Sequence, residues 1–470
     1  MTPPGENGWT KRDTVAVTLV TAAAAIIRGV HLTQPGVIVW DELFYAPESC
    51  FLVHRSQEIC TVGPGAVTEH PPLGKWLIGL GIEAFGYRPL GWRIAPLVAG
   101  ILTVPLLYFL ARRLLRSTLG AAIAAGLLAI DLLHILQSRV AMLDVFLTFF
   151  VVASFLFLII DRDHNAGGAL QSGSQRRGNF SRTWLLAAGL AAGGAAATKW
   201  VGFLALAAIA GLSLLWTMGR QTSHAWRTRL RDSIRAEALT LVLAFVIAPC
   251  LVYVTSFAGT IQGPILQWPW SLGSWGRHFL GIHRRNLEYH LTLNFVSPWM
   301  SPAWSWPLIK RPVTYFQESS AAGYRYMMAM GNPLVWWTSL AALGYLTGKI
   351  VRGRRSADPA VVIVTGFAVL YLPWLIVSAK RSTIFLYYIL PAVPFMCIAI
   401  ASVAVSWAQS FRRRAVVAAF STAAVAFFAF FYPVVTAMPL SKAGLEARQW
   451  FRNCLPPQAQ QPPGNGWCWR

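Results

Sequence analysis

Apolar residues run in long uninterrupted blocks along this chain, and charged residues punctuate them. Reading blocks against breaks predicts about eleven membrane-crossing helices, approximately 14–33, 92–111, 119–137, 140–160, 183–198, 200–217, 236–256, 333–349, 359–378, 383–407 and 415–436. A hydrocarbon core takes roughly 20 apolar residues as helix. Ile94–Ala111, Val140–Ile160 and Ala415–Ala437 each supply such a run. The strands of a membrane barrel would alternate apolar and polar positions instead, so that architecture is excluded. Only Lys199 divides the fifth span from the sixth. The stretch Leu73–Phe85 is too short to cross and reads as an interfacial or re-entrant helix. The pattern therefore predicts an all-α polytopic membrane protein, one domain over 1–470.

Composition agrees. Hydrophobic residues make up 55% of the 470 positions and charged residues 12%, about half the charged share of a soluble chain; mean hydropathy is +0.50. A soluble enzyme, a disordered regulator and a secreted disulfide scaffold are excluded. The 40 Lys and Arg against 18 Asp and Glu leave a formal charge of +22. That surplus is assigned to short cytoplasmic loops, where membrane proteins concentrate basic residues, and not to nucleic acid.

Placing the N-terminus inside puts Arg112, Arg113 and Arg116 in one such loop, and Arg220, Arg227, Arg229, Arg231 and Arg235 in another. The first apolar stretch is then a retained helix and not a cleaved signal. Two long segments, 34–91 and 257–332, fall outside, as does the tail 437–470. The Gly/Ser-rich segment 161–182 is an inner flexible connection. Cys50 and Cys60 share the first outer loop and Cys454 and Cys468 the tail, so two local disulfides are expected if that face is oxidising. Zinc ligation by the four is the rival, disfavoured because no paired Cys-x-x-Cys spacing occurs.

Candidate chemistry gathers on the outer side. Asp41-Glu42 follows the first span in a chain where acids are scarce, and reads either as a solvated loop start or as a positioned base or cation ligand. Glu69-His70-Pro71-Pro72-Leu73-Gly74-Lys75 sets an extended entry and then a short helix, a geometry that presents cations and free N–H groups to an anion or simply seats the helix. Arg139 and Asp144 flank the fourth span and are candidates to pair with each other; Lys199, Lys380 and Arg381 lie at the same level. A phosphate headgroup embedded there would supply counter-charge to these cations. Ser297–Pro307, with Trp304, reads either as an interfacial aromatic belt or as a platform for an acyl chain, a sugar or a peptide.

In this order and spacing the residues resemble the protein O-mannosyltransferases. The likeness rests on Asp41-Glu42, His70-Pro-Pro-Leu-Gly-Lys75, Arg139 with Leu143-Asp144, and Lys199-Trp-Val-Gly202. It continues through Ser305-Trp-Pro-Leu, Arg311-Pro-Val, Gly331-Asn-Pro333 with Trp336-Trp337, and Leu372-Pro-Trp374. Its last part is Arg381 with Phe385-Leu-Tyr-Tyr388 and Leu390-Pro-Ala-Val-Pro-Phe395, so it covers roughly 40–436.

The resemblance implies a GT-C glycosyltransferase of the plasma membrane that moves mannose from polyprenyl-phosphate mannose to Ser or Thr of secreted proteins on the outer face. It further implies membrane lipids as partners, with coupling to the secretion channel on family grounds alone. It carries the catalytic carboxylate to Asp41, with Glu42 beside it. The segment 257–332 is too short for the MIR domain of eukaryotic relatives, so the likeness is to bacterial, actinobacterial members. Ser297-Pro298-Trp299 stands where many relatives have His-Pro-Tyr, and His290 is the remaining counterpart of the usual histidines.

The chemistry fits that inventory. A hydroxyl acceptor needs a base, and an anionic leaving phosphate needs fixed positive charge. Asp41 is the expected base. Lys75, Arg139 and Arg381 are the expected phosphate ligands, with Lys199 a further candidate; His70, Asp144, His290 and Trp304 are expected to shape the site. No cofactor and no essential metal are expected, because Asp41 and Glu42 alone make a poor cage. The alternatives are a GT-C enzyme acting on a glycolipid or cell-wall polymer, and a secondary transporter. The latter is disfavoured by the absence of an internal repeat.

Overall fold

The computed structural model describes residues 8–54, 57–60, 69–171, 182–219, 225–257, 272–293, 295–321, 323–353, 358–381, 383–452, 454 and 466–469. Of the flexible connection expected over 161–182, residues 161–171 are instead helical and 172–181 lie outside the described residues. Helix α1 (Lys11–Gly29) opens with a capping box, Thr10 and Asp13 each bonding the other's backbone N–H. The long segment 34–91 is largely helical among its described residues: α2 (Glu42–His54), the short α3 (Gln57–Cys60) and α4 (Leu73–Phe85). The sequence pattern anticipated only α4, because α2 carries Pro47 and no clear stripe. A disulfide between Cys50 and Cys60 ties α2 to α3.

The long α5 (Pro89–Leu115) follows, then α6 (Thr118–Ala129) and α7 (Leu132–Gln137). The expected single span 119–137 is thus two helices. Asp131 breaks it, its carboxylate capping α7 through the N–H of His134 at 2.9 Å. Then come α8 (Asp144–Gln171), α9 (Thr183–Ala196), α10 (Gly202–Met218), and α11 (Trp226–Val242), which continues through one π turn into α12 (Ala248–Ser256). Gly189 and Gly193 let α9 lie directly on that π turn and the start of α12: a Cβ on Gly189 would clash with the Ala244 carbonyl, and one on Gly193 would meet the Cα of Pro249 at 2.6 Å.

The long segment 257–332 contributes the amphipathic α13 (Leu272–Thr292) and a two-stranded antiparallel hairpin, β1 (Val313–Ser320) and β2 (Gly323–Ala329). The hairpin departs from a purely helical expectation. Its β-branched and aromatic residues favour a pleat, and Gly323 takes φ +117° at the turn. The register slips between Thr314 and Phe316, leaving Tyr315 in a bulge. The remaining helices are α14 (Pro333–Val351), α15 (Pro359–Ser378), α16 (Val393–Trp407), α17 (Phe411–Phe431) and α18 (Lys442–Glu446).

Eight helices are long and apolar enough to cross a membrane among the described residues, and α6 and α9 are shorter apolar ones. The best-buried window lies in Asp144–Asn165, 83% inside the protein, whereas that in Phe411–Val435 is only 11% buried and packs at the periphery. The N-terminal end of the central helix α8 is therefore wrapped by neighbours, and the candidate chemistry collects there.

Candidate active site

The turn into α2 carries Trp40, Asp41 and Glu42, and two buried charges fix its shape. Arg93, inside the first turns of α5, donates Nε to Glu42 Oε1 and one terminal nitrogen to Glu42 Oε2, each at 2.8 Å. Its other N–H groups hold the carbonyls of Pro35 at 2.8 Å and Val37 at 2.9 Å. Glu42 also accepts from the backbone N–H of Val39 and of Ala141, both at 3.0 Å. Both side chains are fully buried. With its oxygens so occupied, Glu42 anchors the loop and does not face open space. Such a pair is costly to desolvate but specifies one geometry for the residue before it.

That residue is Asp41. It lines a cavity of about 510 Å³ together with Glu69, His70, Asp144, Lys199, Tyr289, His290, Lys380, Arg381 and Tyr388. The Tyr387 hydroxyl donates to Asp41 Oδ2 at 3.1 Å and accepts from Trp40 Nε1 at 3.3 Å. Trp40 stacks on Tyr315 with ring centroids 5.2 Å apart, and the Tyr315 hydroxyl accepts from Gln137 at 2.7 Å. The bulge in β1 thus aims a ring at the loop that carries the acid. Trp40 itself sits at φ 48°, a conformation non-glycine residues rarely hold unless their surroundings enforce it.

Burial pushes the Asp41 carboxyl up to about 7; Lys199 and the Tyr387 hydrogen bond oppose the shift, and Asp144 and Glu69 add to it. A group poised there can take a proton near neutral pH. Lys199 donates to Asp144 Oδ2 at 2.8 Å and lies over the Tyr388 ring at 5.4 Å. Arg381 lines the same cavity, and its Nε has no hydrogen-bond partner among the described residues. His70 packs against His290 with the rings tilted and centroids 5.3 Å apart, and His290 Nε2 lies 2.8 Å from the Glu69 carbonyl. Burial first, and Lys199 after it, hold His70 neutral by depressing its pKa well below the usual value. Phe44, Leu147, Leu291, Leu293, Ile376 and Val377 supply an apolar side.

Besides Glu42, which was expected in the site and instead serves as the anchor, three residues expected at the substrate lie elsewhere. Lys75 is buried against Glu48, beneath the Tyr45 ring. Arg139 donates to the carbonyls of Arg28 and Val30, both at 2.6 Å, and of His31 at 2.8 Å, and so closes the C-terminal end of α1. Trp304 is 54% exposed, over Lys310 at 4.9 Å. Both cations therefore hold the scaffold around the cavity. Tyr289, Tyr315 and Arg93 were not singled out from sequence, and Glu69 and Tyr387 appeared there only inside longer motifs. A charge inside the apolar run 92–111 was the available signal for Arg93; the bulge that turns Tyr315 had none. The C-terminal tail is tied by the Cys454–Cys468 disulfide, and the neighbouring Trp469 is fully buried with its Nε1 on the Ile309 carbonyl at 2.6 Å.

Two family models match: dolichyl-phosphate-mannose-protein mannosyltransferase over residues 88–261, and the C-terminal four TMM region of protein-O-mannosyltransferase over 275–454. A polyprenol-phosphate-mannose–protein mannosyltransferase of Mycolicibacterium smegmatis is 31% identical across 94% of this chain and 92% of its own length. The chain belongs to the protein O-mannosyltransferase family. A second member, from Mycobacterium tuberculosis, is 30% identical across 94% of this chain and 91% of its own. In the Saccharomyces cerevisiae Pmt1–Pmt2 complex bound to the sugar donor, one chain superposes with a TM-score of 0.76 at 16% identity, covering 95% of this chain and 93% of that one. ArnT from Cupriavidus metallidurans in the apo state gives 0.52 at 19% identity over 90% of this chain and 74% of its own. These likenesses establish the GT-C glycosyltransferase fold, and with it a multi-span membrane enzyme.

Proposed function

We propose that this O-mannosyltransferase moves mannose from a polyprenyl-phosphate donor to Ser or Thr hydroxyls of exported proteins, with Asp41 as base. The observation that carries the reading is one carboxylate with a pKa near 7 in a cavity that also holds Lys199, Arg381 and an apolar side. The acceptor oxygen attacks the anomeric carbon and its proton passes to Asp41. The bond from that carbon to the phosphate oxygen breaks, and its electron pair leaves with polyprenyl phosphate. Arg381, with Lys380 and Lys199, stabilises the anion that departs, and the apolar side receives the first prenyl units. The leaving group is already an anion and needs no acid. Single displacement inverts the anomeric centre, so a β-linked donor gives an α-linked product.

The cavity size suits one sugar and its phosphate, within the range of small-ligand sites. The basic surplus of the short loops at the far end supports a cytoplasmic N-terminus, a C-terminus on the outer face and residence in the plasma membrane. Acceptors would then arrive through the secretion channel. The test uses purified enzyme, radiolabelled polyprenyl-phosphate mannose and a Ser/Thr peptide, with NMR of the product. Labelled peptide carrying α-mannose supports the reading. Label that enters a glycolipid but never the peptide replaces it with the cell-wall alternative.

A further inference from the structure

A second cavity, of about 440 Å³, lies between Trp9, Phe109, Arg112, Arg113, Arg116 and Asp163. It sits far from the catalytic cavity along one rigid element. Asp144 at the start of α8 lines the first and Asp163 the second. At 1.5 Å per helical residue the 19 positions between them span roughly 30 Å, about the hydrocarbon thickness of a bilayer. The two cavities therefore open at opposite headgroup levels.

The walls of this cleft differ in chemistry. On one side the end of α5 presents three guanidinium groups. Arg112 is neutralised by Asp13, its Nε on Oδ1 at 2.8 Å. Arg113 meets Asp163 at 3.3 Å, but Asp163 also takes Arg162 at 2.8 Å. Arg116 is exposed, and its side chain has no partner among the described residues. Four arginines thus face two carboxylates, leaving a surplus of two positive charges. Arg116 also closes α5 at φ 51°, where a glycine would be unstrained. On the other side Trp9 stacks on Phe109 with centroids 5.3 Å apart. The indole N–H is already given to Thr14 at 2.8 Å, so this wall offers only an apolar face.

We propose that this cleft binds the headgroup of an anionic phospholipid. The phosphate lies against Arg113 and Arg116, and the glycerol and first methylenes lie against Trp9 and Phe109. A basic recess between spans at the headgroup level is the setting in which such lipids are held. The two-sided wall favours an amphiphile over a bare anion, for which the rings would contribute nothing.

The test measures thermal stabilisation of the full-length enzyme in nanodiscs of phosphatidylcholine alone, or with phosphatidylglycerol added, and separately with inorganic phosphate in detergent. Phosphatidylglycerol is expected to raise Tm in wild type. The double variant R113Q/R116Q is expected to bind that lipid about thirty-fold more weakly, the loss for two cationic contacts at a membrane surface, while keeping its transfer rate. An equal rise with phosphatidylcholine, an unchanged response in the double variant, or a full response to inorganic phosphate alone overturns the proposal. In case the double variant does not fold, a photoactivatable phosphatidylglycerol is cross-linked to wild type and mapped. Adducts at 8–14 and 105–118 support the site, and adducts confined to other segments refute it.

Discussion

Replacing Tyr387 by Phe isolates one hydroxyl. The ring keeps its packing, since it stacks on Phe385 at 5.6 Å and meets Trp40, Tyr315 and Tyr388 edge-on. What is lost is the donor to Asp41 at 3.1 Å and the acceptor for Trp40 at 3.3 Å. A hydrogen bond to a charged group is worth about 1.5–3 kcal/mol, and 1.36 kcal/mol corresponds to one pH unit, so removing it raises the pKa of Asp41 by about 1 or somewhat more.

The sign follows from the charge: Tyr387 stabilises the carboxylate, so its loss favours the protonated acid, which is inactive as a base. With a starting value near 7, an increase of one leaves about a tenth of Asp41 ionised at pH 7 in place of half, a roughly five-fold loss. At pH 9 the variant is about nine-tenths ionised and nearly recovers. The assay is kcat/KM for mannosyl transfer from pH 5.5 to 9.5, which reports the free enzyme. The acid limb should move to higher pH with little change in the plateau. A loss of equal size at every pH would refute the reasoning, because the hydroxyl would then act on substrate and not on Asp41.

Removing the arginine of the buried anchor, as in Arg93→Met, leaves Glu42 charged and unpaired, at a cost of about 3–5 kcal/mol. Calorimetry should find a lower Tm, partly restored in E42M/R93M; an unchanged Tm would contradict the anchoring role. Arg381→Ala should lower kcat about 10²- to 10³-fold and R381K should recover part of it, as expected where positive charge meets the leaving phosphate; a loss confined to acceptor KM would move Arg381 to the acceptor side. Replacing Cys454 and Cys468 by Ser opens a link across 14 positions, worth about 3 kcal/mol. Hydrogen exchange should then speed up at the backbone N–H groups of residues 468 and 469, which donate to the carbonyls of Lys310 at 3.0 Å and Phe451 at 2.8 Å; unchanged protection there would show that the tail docks without its bridge.

The spans were legible because a bilayer imposes a length and a polarity that few other solvents demand, and α5, α14 and α15 emerge close to their predicted limits. Asp41 stood out because acids are rare in this chain. Lys75 and Arg139 looked like phosphate ligands because several cations lie at the level of Asp41 with few acids to pair them. What the sequence could not reveal is that Glu48 and the end of α1 already occupy them. Pairing is a property of three-dimensional neighbours, and these lie up to 111 positions apart. Helix α2 and the hairpin were hidden because the long segments between spans lack the strict period of a membrane face. The Tyr315 bulge is a register slip that only its partner strand defines.

The central claim is that Asp41 takes the acceptor's proton. Its most direct test measures peptide mannosylation and donor affinity side by side in wild type and Asp41→Asn, which keeps the shape and removes the charge. Transfer should fall about 10²- to 10⁴-fold, with the affinity for polyprenyl-phosphate mannose retained or improved, since a negative charge beside the phosphate is gone. Transfer by the asparagine variant within a few-fold of wild type would contradict the account.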